Sequence, residues 1–330
     1  MKILITGSAG FIGYHLTKHL LNDPKNHIVA VDNLSRGSMD EDYKKLLDNE
    51  RVSFIQLDLT DLKQLDRLGN NYNHVYHLAA VNGTKFFYEI PHEVLRVNML
   101  SLINILEWMR IENKNGKFLF PSSNEAYSGG ETFDKLPIPT KEEVPLVISN
   151  PYNPRWSYAA TKLTGELFAI HYSQRYEFKC VIVRPHNFYG PRAGFDHVIP
   201  EFCMRIANLT DPFPIFGAKE TRTFCFIEDA VKAMSLLMSS NKTDNLPCET
   251  FHIGGDIELP IEKLANILFD IVKWKPKNIL IKNSPKGSVK RRKADISKIQ
   301  KVIGWYPATP IDEGLKITYK WYSNYKEPKK

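Results

Sequence analysis

A tyrosine and a lysine four residues apart, Tyr158 and Lys162, are the pair in this sequence with the clearest chemical meaning. They lie in a stretch that predicts the first turns of a long helix, where side chains at this spacing share one face. An ammonium beside a phenol lowers the phenol's pKa, which would allow proton transfer near neutral pH. Tyr and Lys at this spacing also occur on ordinary helix surfaces, so the surrounding elements must decide between the two interpretations.

A glycine-rich stretch follows the first predicted strand. The apolar run from Lys2 to Thr6 leads through G-S-A-G-F-I-G into an amphipathic helix that ends near Leu21. Such glycines let the backbone turn tightly, approach a pyrophosphate and direct helix N-terminal amides at it. The spacing is G-x-x-G-x-x-G rather than the commoner G-x-G-x-x-G, so an ordinary strand-to-helix turn stays open. The candidate cofactor contacts here are Gly7, Gly10, Phe11, Ile12 and Gly13.

An acidic residue ends the second predicted strand. This strand runs from His27 to Val31, and Asp32 follows it, nineteen residues after Gly13. A carboxylate there accepts hydrogen bonds from the adenosine ribose and repels a 2′-phosphate. The pattern therefore favours NAD over NADP, although Arg36 lies near enough in sequence to accommodate a phosphate.

Strand and helix patterns keep alternating along the chain. Further strands are predicted at 52–57, 74–78 and 117–120, and a helix at 94–110. This alternation predicts an α/β fold with a doubly wound parallel sheet, Rossmann-like, with right-handed crossovers. Ligands bind beyond the carboxyl ends of such strands. The residues at those ends include Asp58, Leu59, Leu78, Ala79 and Ala80.

Composition limits the classes of protein and of partner. The 330 residues are 43% hydrophobic and 25% charged, which is typical of a soluble globular protein of about two domains. No apolar stretch approaches a membrane span, and four scattered cysteines show no zinc spacing, so we expect a cytoplasmic protein without a metal site. The net charge of +7 suits small anionic ligands. No basic face with interleaved aromatic residues indicates nucleic-acid binding.

The ordered motifs resemble a known family over essentially the whole chain. They are T-G-x-x-G-F-I-G at 6–13, D-N at 32–33, D-L at 58–59, H-L-A-A at 77–80, S-S-N-E-A-Y at 122–127, Y-x-x-x-K at 158–162, R-P-x-N-x-Y-G-P at 184–191, R-x-F at 222–224, A-D-I-S-K at 294–298 and G-W-x-P at 304–307. The chain is similar to the extended short-chain dehydrogenase/reductase family, in its NAD-dependent nucleotide-sugar epimerase/dehydratase branch.

The resemblance implies a role for each matching residue. Tyr158, as phenolate, would take the proton from the sugar 4-hydroxyl, while Lys162 bonds the nicotinamide ribose and Ser123 bonds the same sugar oxygen. Ser122 should point to the other face of the strand. The residues expected along NAD are Asn33, Asp58, Leu59, Leu78, Ala79, Ala80, Asn98 and Pro185, and those expected at the substrate are Asn124, Asn187, Arg222 and Arg292.

Two of these positions keep a second interpretation. Asn98 lies inside an apolar helix, where it is either a satisfied core amide or a structural residue on the cofactor side. Arg292 either binds a substrate phosphate or belongs to the solvated basic run 290–293.

The reaction that follows C4 oxidation depends on Asn124 and Glu125. The Glu resembles that of dehydratases and decarboxylases, and it can remove the C5 proton that a C4 ketone acidifies. Asn124 replaces the Asp that protonates the leaving hydroxyl in many 4,6-dehydratases. The P-R-W-S-Y approach to the tyrosine, and Arg222, are similar to a bacterial UDP-glucuronate decarboxylase. Lys286 and Ser288 depart from the usual 4-epimerase pattern.

Several outcomes therefore stay open. The main interpretation is an NAD-dependent nucleotide-sugar epimerase/dehydratase that works through a 4-keto intermediate. Alternatives are a 4,6-dehydratase, a UDP-glucuronate decarboxylase and a net 4-dehydrogenase/reductase. The alternative from another class is a non-catalytic binding protein that senses a dinucleotide.

The domain organisation and assembly are also expectations at this point. We expect an NAD-binding domain from residues 1–185 plus 222–255 and a nucleotide-sugar-binding lobe from 186–221 plus 256–330. The loop from 129 to 155 is long for a compact domain, which suggests a substrate-covering lid. The helices near 94–110 and 158–176 are those through which the family forms homodimers.

Overall fold

The computed structural model describes residues 1–133, 136–244, 248–284 and 289–325. Lys286, Ser288 and the basic C-terminal residues 326–330 lie outside this part of the chain. The strands are β1 (Lys2–Thr6), β2 (His27–Asp32), β3 (Val52–Gln56), β4 (His74–His77), β5 (Lys117–Pro121), β6 (Cys180–Pro185), β7 (Phe188–Tyr189), β8 (Phe213–Phe216), β9 (Thr221–Thr223), β10 (Cys225–Phe226), β11 (Glu249–Ile253), β12 (Glu258–Pro260), β13 (Ile279–Lys282) and β14 (Arg291–Arg292). The α-helices are α1 (Phe11–Leu20), α2 (Glu41–Leu47), α3 (Thr84–Glu89), α4 (Pro91–Glu112), α5 (Trp156–Tyr176), α6 (Val198–Ala207), α7 (Ile227–Ser239), α8 (Ile261–Val272), α9 (Ser297–Ile303) and α10 (Ile311–Asn324).

A seven-stranded sheet in the order β11-β6-β5-β4-β1-β2-β3 forms the centre of the molecule. Every neighbouring pair in it is parallel. Strands β1, β2 and β3 follow one another toward one edge of the sheet. The chain then returns to β4 on the other side of β1 and continues toward the opposite edge. The predicted doubly wound α/β fold is confirmed, and its topological switch point lies between β1 and β4, where such sheets bind ligands.

The sheet is buried on both faces, as parallel sheets are. On β1, Ile3 and Ile5 belong to one core cluster and Leu4 to the other, because successive side chains point to opposite faces. Helices α1 and α7 pack together on the first face, whereas α4 and α5 form a closely packed pair on the second. This places α5, the helix that carries Tyr158, directly over the sheet.

A smaller mixed α/β region covers the carboxyl edge of the sheet. It contains a parallel pair, β8 with β13, and a second small sheet in which β12 runs antiparallel and β14 parallel to β9. In the register of β9 and β14, Arg222 stands beside Arg292. No helix in the described residues is long and apolar enough to cross a membrane.

Candidate active site

The turn between β1 and α1 requires glycine for steric reasons. Gly7 has a φ of +69°, and a Cβ added to it would lie 2.7 Å from the backbone nitrogen of Ala79 on the neighbouring strand end. A Cβ on Gly13 would lie 2.3 Å from the carbonyl oxygen of Gly7. Gly10 is the N-cap of α1 and offers no side chain to its first amides. Those amides are available for an anion, as a pyrophosphate site requires.

Asp32 connects the end of β2 to this turn. Its carboxylate accepts hydrogen bonds from the amides of Ala9 (3.0 Å) and Leu34 (2.8 Å). Burial raises the pKa of Asp32, while these two amides lower it. Each oxygen keeps accepting capacity for a ribose hydroxyl. The guanidinium of Arg36 stacks on the ring of Phe86, 4.8 Å from its centroid, and is not directed at Asp32.

An open depression of about 550 Å³ lies beyond β2 and β3, and Asn33 and Asp58 are among the residues that line it. Leu59 is buried beside it, and its carbonyl accepts a hydrogen bond from Asn104 on α4 at 2.8 Å. Leu78, Ala79 and Ala80 are half-buried and follow the end of β4. The structure therefore brings these predicted cofactor residues to one edge of the sheet.

Asn98 has a defined structural role on the cofactor side. Its amide oxygen accepts a hydrogen bond from the backbone nitrogen of Val81 at 2.6 Å, and its amide nitrogen donates to the carbonyl of Val81 at 3.1 Å. The same nitrogen is 3.3 Å from the hydroxyl of Thr161 on α5. Asn98 thus holds the segment after β4 against the helix that carries Tyr158.

Tyr158 lies in the first turn of α5 and is buried. Its ring stacks on Phe87 of α3 with centroids 5.0 Å apart and an interplanar angle of 15°. The ammonium of Lys162 lies 5.5 Å from the centroid of the Tyr158 ring and donates a 2.7 Å hydrogen bond to the carbonyl of Pro121. The two side chains therefore share a helix face, as predicted.

The expected effect of Lys162 on the phenol is wrong for the protein alone. Burial raises the pKa of Tyr158 and the Glu125 carboxylate raises it further, whereas a hydrogen bond from Ser123 and the charge of Arg36 lower it. Lys162 is not among the groups that shift this pKa, and its ammonium donates to the carbonyl of Pro121. Burial also lowers the pKa of Lys162 to about 7, against the opposing effect of Glu166.

Two adjacent serines follow β5 and both face α5, because β5 ends at Pro121 and the expected strand alternation does not continue beyond it. Ser123 lies close enough to Tyr158 to lower its pKa, and its hydroxyl accepts a 3.1 Å hydrogen bond from the amide of Glu125. Ser122 instead donates a 2.5 Å hydrogen bond to the carboxylate of Glu166. Of the two hydroxyls, only that of Ser123 faces the phenol.

Glu125 is held between two arginines from distant parts of the chain. Arg292 donates to one carboxylate oxygen at 2.9 Å, and Arg155 lies 3.4 Å from the other. Burial by itself raises the pKa of Glu125, but Arg292 and Arg155 outweigh it and hold the pKa below its usual range. About 20% of the Glu125 side chain is exposed, so a ligand can reach this carboxylate.

Arg292 is a buried arginine with several charged partners. The interpretation that it belongs to the solvated basic run 290–293 is therefore excluded. Only 10% of its side chain is exposed, and it also contacts the hydroxyl of Ser128 at 2.9 Å and the carboxylate of Glu131 at 3.5 Å. Burial lowers the pKa of Arg292, but Glu125 and Glu131 outweigh that effect and raise it. Sequence reasoning missed Arg155 and Glu131 as members of this cluster, although Arg155 stands in the P-R-W-S-Y motif.

The other predicted substrate residues make mainly internal contacts. Arg222 donates to Glu220 at 3.0 Å and to the carbonyl of Thr221 at 2.8 Å. Asn187 donates to the carbonyl of Thr223 at 2.8 Å. Asn124 is buried and accepts a 3.3 Å hydrogen bond from Ser123, so it lies next to the reacting groups.

Two further predictions concern Pro185 and metal binding. Pro185 is half-buried and ends β6 at the same sheet edge. The described residues contain no group of three side chains suited to a metal ion.

The loop from 129 to 155 is anchored where it is described. The amide of Thr140 donates a 2.9 Å hydrogen bond to the carbonyl of Lys293, and the amide of Asp295 donates to the carbonyl of Thr140 at 2.7 Å. The amide of Val147 donates to the carbonyl of Ala126 at 3.2 Å. The loop is thus attached both to the segment that follows Arg292 and to the turn that carries Glu125.

Comparison with known proteins decides the family. The model of the NAD dependent epimerase/dehydratase family matches residues 3–254. The chain belongs to this family. It is therefore an NAD-dependent enzyme, and the glycine turn, Asp32 and the depression near Asp58 fit the pyrophosphate and adenosine of NAD.

Relatives within the family carry out different reactions. UDP-glucuronic acid decarboxylase 6 of Arabidopsis thaliana is 30% identical over 96% of this chain and 87% of its own length. A dTDP-glucose 4,6-dehydratase of Neisseria gonorrhoeae is 26% identical over 97% and 95%. A variant of UDP-glucuronic acid 4-epimerase from Bacillus cereus, in complex with UDP-4-deoxy-4-fluoro-glucuronic acid and NAD, has a TM-score of 0.85, 27% identity and coverage of 98% and 99%.

Proposed function

We propose that this protein oxidises C4 of a nucleotide-diphosphate sugar and then acts on the resulting 4-keto sugar, as an epimerase/dehydratase of the family. The observation that carries the proposal is the convergence of Tyr158, Ser123 and Glu125 at the carboxyl end of β5. Ser123 is close enough to the Tyr158 phenol to lower its pKa, and the Glu125 charge is close enough to raise it. A proton acceptor for C4 and a carboxylate for a neighbouring carbon are thus present together.

In this proposal each residue has one task in the opening oxidation. Tyr158 accepts the proton of the 4-hydroxyl, and Ser123 bonds the same sugar oxygen. Lys162 bonds the nicotinamide ribose and supplies positive charge beside the phenol. Bound NAD supplies the acceptor, and later the donor, for the C4 hydride. The stacking of Phe87 on Tyr158 keeps water away from this proton transfer.

Glu125 would then act on the 4-keto sugar. Its two arginines keep it ionised near neutral pH, so it can accept the proton at C5, which the adjacent ketone acidifies. Asn124, the neighbouring residue, cannot donate a proton to a leaving hydroxyl. Epimerisation through C5 therefore fits this pocket better than elimination of water across C5 and C6.

Decarboxylation of a nucleotide-linked uronic acid is a second candidate. The guanidinium groups of Arg155 and Arg292 flank one partly exposed carboxylate, and such groups also bind a carboxylate at C6 of a sugar. A C4 ketone makes that acid a β-keto acid, which loses carbon dioxide readily. The Arabidopsis relative is named for UDP-glucuronic acid, which supports testing this substrate first.

The test is an incubation with UDP-, dTDP-, GDP- and CDP-linked sugars and UDP-glucuronic acid, followed by mass spectrometry and proton NMR. Loss of carbon dioxide indicates decarboxylation, loss of water indicates dehydration, and unchanged mass with new proton couplings indicates epimerisation. Tyr158→Phe is the control, and it should lower turnover by a factor on the order of 10³ while NAD binding persists. Normal turnover by Tyr158→Phe would overturn the proposal.

We also propose that the substrate nucleotide binds between the NAD-binding domain, residues 1–185 plus 222–255, and the lobe formed by 186–221 plus 256–330. Asn187 belongs to the lobe, and Arg222, at the boundary of the two, lies on β9, which pairs with β12 and β14 of the lobe. UDP lacks the sugar that would be oxidised, so its binding is measured without any reaction. We expect Arg222→Met to weaken the affinity for UDP, and Arg51→Met, at the opposite edge of the sheet, to leave it unchanged. Calorimetry measures both affinities.

A cytoplasmic homodimer is the assembly that we propose. Three leucines on α4 and α5, Leu95, Leu100 and Leu167, leave 41%, 37% and 49% of their surface exposed. A second copy of the same helix pair would cover them in a four-helix contact. Sedimentation should give twice the chain mass, and Leu167→Glu should shift it toward the monomer.

A further inference from the structure

Three consecutive residues at the end of β5 contact three residues spaced one turn apart on α5. Pro121 accepts a 2.7 Å hydrogen bond from Lys162, and Ser122 donates at 2.5 Å to Glu166. Ser123 lies beside the phenol of Tyr158 and lowers its pKa. Because Tyr158, Lys162 and Glu166 share one helix face, the three contacts set the register of the helix against the strand.

Glu166 is the only one of these helix residues that the proposed reaction leaves without a task. Its side chain is 4% exposed, as is that of Arg184 on β6, which binds it through two hydrogen bonds of 2.8 Å. Arg184 also donates to the carbonyl of Glu142 at 2.8 Å. The carboxylate thus accepts charge-assisted hydrogen bonds from Arg184 on β6 and a further one from Ser122 after β5, which fix its position.

The charge of Glu166 acts on Lys162 over one helical turn. Lys162 is buried at 6% exposure, and Glu166 favours its protonated form, whereas burial disfavours it. The other titratable groups around Lys162 are Tyr158 on its own helix and His77 on β4, and burial keeps His77 neutral by lowering its pKa to about 3.

We propose that Glu166 is a positioning residue for the reaction: it fixes Ser123 and Lys162 in register through Ser122 and keeps Lys162 protonated in the closed site. This inference rests on the proposed function, because Lys162 matters there as a cation beside the phenol. Glu166 itself touches neither substrate nor cofactor. It acts through its hydrogen bond with Ser122 after β5 and through its charge near Lys162.

The first experiment compares the pH profile of kcat for the wild type and Glu166→Gln. Without the carboxylate, Arg184 is left unpaired and the pKa of Lys162 falls further, so Lys162 loses its proton at a lower pH. We expect the alkaline limb of the profile to move down by about one pH unit. KM for the nucleotide sugar should change less than kcat, since the diphosphate contacts are elsewhere.

A second variant separates positioning from simple stability. Glu166→Gln/Arg184→Met removes both buried charges and should fold better than Glu166→Gln, which leaves one charge unpaired. If Glu166 only stabilised the fold, the double variant would recover the wild-type pH limb along with its stability. A limb that stays shifted in the double variant supports the positioning role, and recovery of the wild-type limb overturns it.

A third measurement does not depend on the proposed function. The folded pKa of Lys162, about 7, is below that of the unfolded chain, so the unfolded state binds more protons above that pH. The free energy of unfolding therefore rises with pH above about 7, and in Glu166→Gln the rise should begin at lower pH. The difference should vanish in a Lys162→Met background. Its persistence there would overturn the inference, whereas absent turnover of nucleotide sugars would count only against the proposed function.

Discussion

The NAD edge and the reaction pocket of this enzyme are built in different ways. At the NAD edge, the contacts are made by backbone atoms of residues close in the chain, such as the amide of Ala9 with the carboxylate of Asp32, 23 residues away. In the pocket, Glu125 is bound by the side chain of Arg292, 167 residues away. The cofactor is recognised by the shape of the fold itself, whereas the reaction pocket depends on long side chains brought together from separate segments.

This difference has a chemical meaning. In the proposed function, the opening oxidation uses NAD together with Tyr158, Lys162 and Ser123, which lie at the end of a central strand and on the helix packed on the sheet. The fate of the 4-keto sugar is proposed to depend on the charges around Glu125, which come from the turn after β5, the start of α5 and β14. A family with one fold can therefore share the first step and differ in the second.

Glu125→Gln should have the largest effect on the reaction pocket while leaving the NAD edge unchanged. The amide keeps the shape of the side chain but cannot accept a proton, so turnover to the final product should fall by about 10²–10⁴. Oxidation at C4 should persist, and mass spectrometry should then detect a sugar lighter by two hydrogen atoms. Glu131→Gln is the matched control, since Glu131 also contacts Arg292, at 3.5 Å. Equal losses in both variants would show that charge near Arg292, and not a base, is what matters.

Gly7→Ala tests whether backbone shape makes the NAD edge. Gly304 has the same φ, +69°, in the left-handed region, and an added Cβ there meets nothing within 4 Å, so Gly304→Ala isolates the cost of the left-handed conformation. We expect that cost to be about 1–2 kcal/mol in each variant. Gly7→Ala should lose on the order of 2 kcal/mol more and most of its NAD affinity, because its Cβ displaces the backbone at Ala79. Thermal unfolding and NAD titration measure the two effects, and equal NAD affinities would contradict this account.

Arg292→Lys should change the pocket moderately and leave the NAD edge intact. A lysine cannot bond Glu125 and Ser128 together, so we expect about a tenfold loss of turnover. The pKa of Glu125 is depressed in the folded protein, and its stabilising effect is lost as pH falls through that value. Weaker pairing raises this pKa, so the acid limb of kcat should move to higher pH.

Arg155→Lys should show the same trend to a smaller degree, because Arg155 is 3.4 Å from the carboxylate compared with 2.9 Å for Arg292. The pH profiles of both variants provide the measurement. A larger shift for Arg155→Lys would reverse the ranking of the two arginines and require a different geometry for the bound substrate.

Asp32→Asn should have the smallest effect. The amide can still accept one backbone hydrogen bond but not both, and we expect a loss of about 1 kcal/mol in NAD binding, roughly fivefold. The same change removes the charge that repels a 2′-phosphate, so the preference for NAD over NADP should narrow. Competition titration with the two cofactors measures it, and an unchanged preference would shift the discrimination to another residue.

Much of the fold and the NAD edge could be predicted from the sequence. Alternating strand and helix patterns, the glycines at 7, 10 and 13, and Asp32 at the end of β2 are all local signals that backbone sterics turn directly into structure. In each case the relevant contact lies within a turn or between neighbouring strands.

The pocket could be predicted only in part. Glu125 stood out by its motif, but its arginine partners come from 30 and 167 residues away, and no local pattern indicates such contacts. The pKa of Tyr158 was expected to fall and instead rises, because spacing on a helix says nothing about burial or about where an ammonium directs its charge. The Glu166–Arg184 pair had no sequence signal for the same reason.

The bridge between Thr140 and Ala294 makes a surface loop part of the reaction pocket. Loops usually absorb insertions and deletions without consequence, yet a change of length before Thr140 would pull on the strand that carries Arg292. Such a change would move the guanidinium relative to Glu125 while leaving Tyr158, Lys162 and the NAD edge untouched. Loop length is thus a route by which this scaffold can acquire a new reaction outcome without any substitution in its catalytic residues.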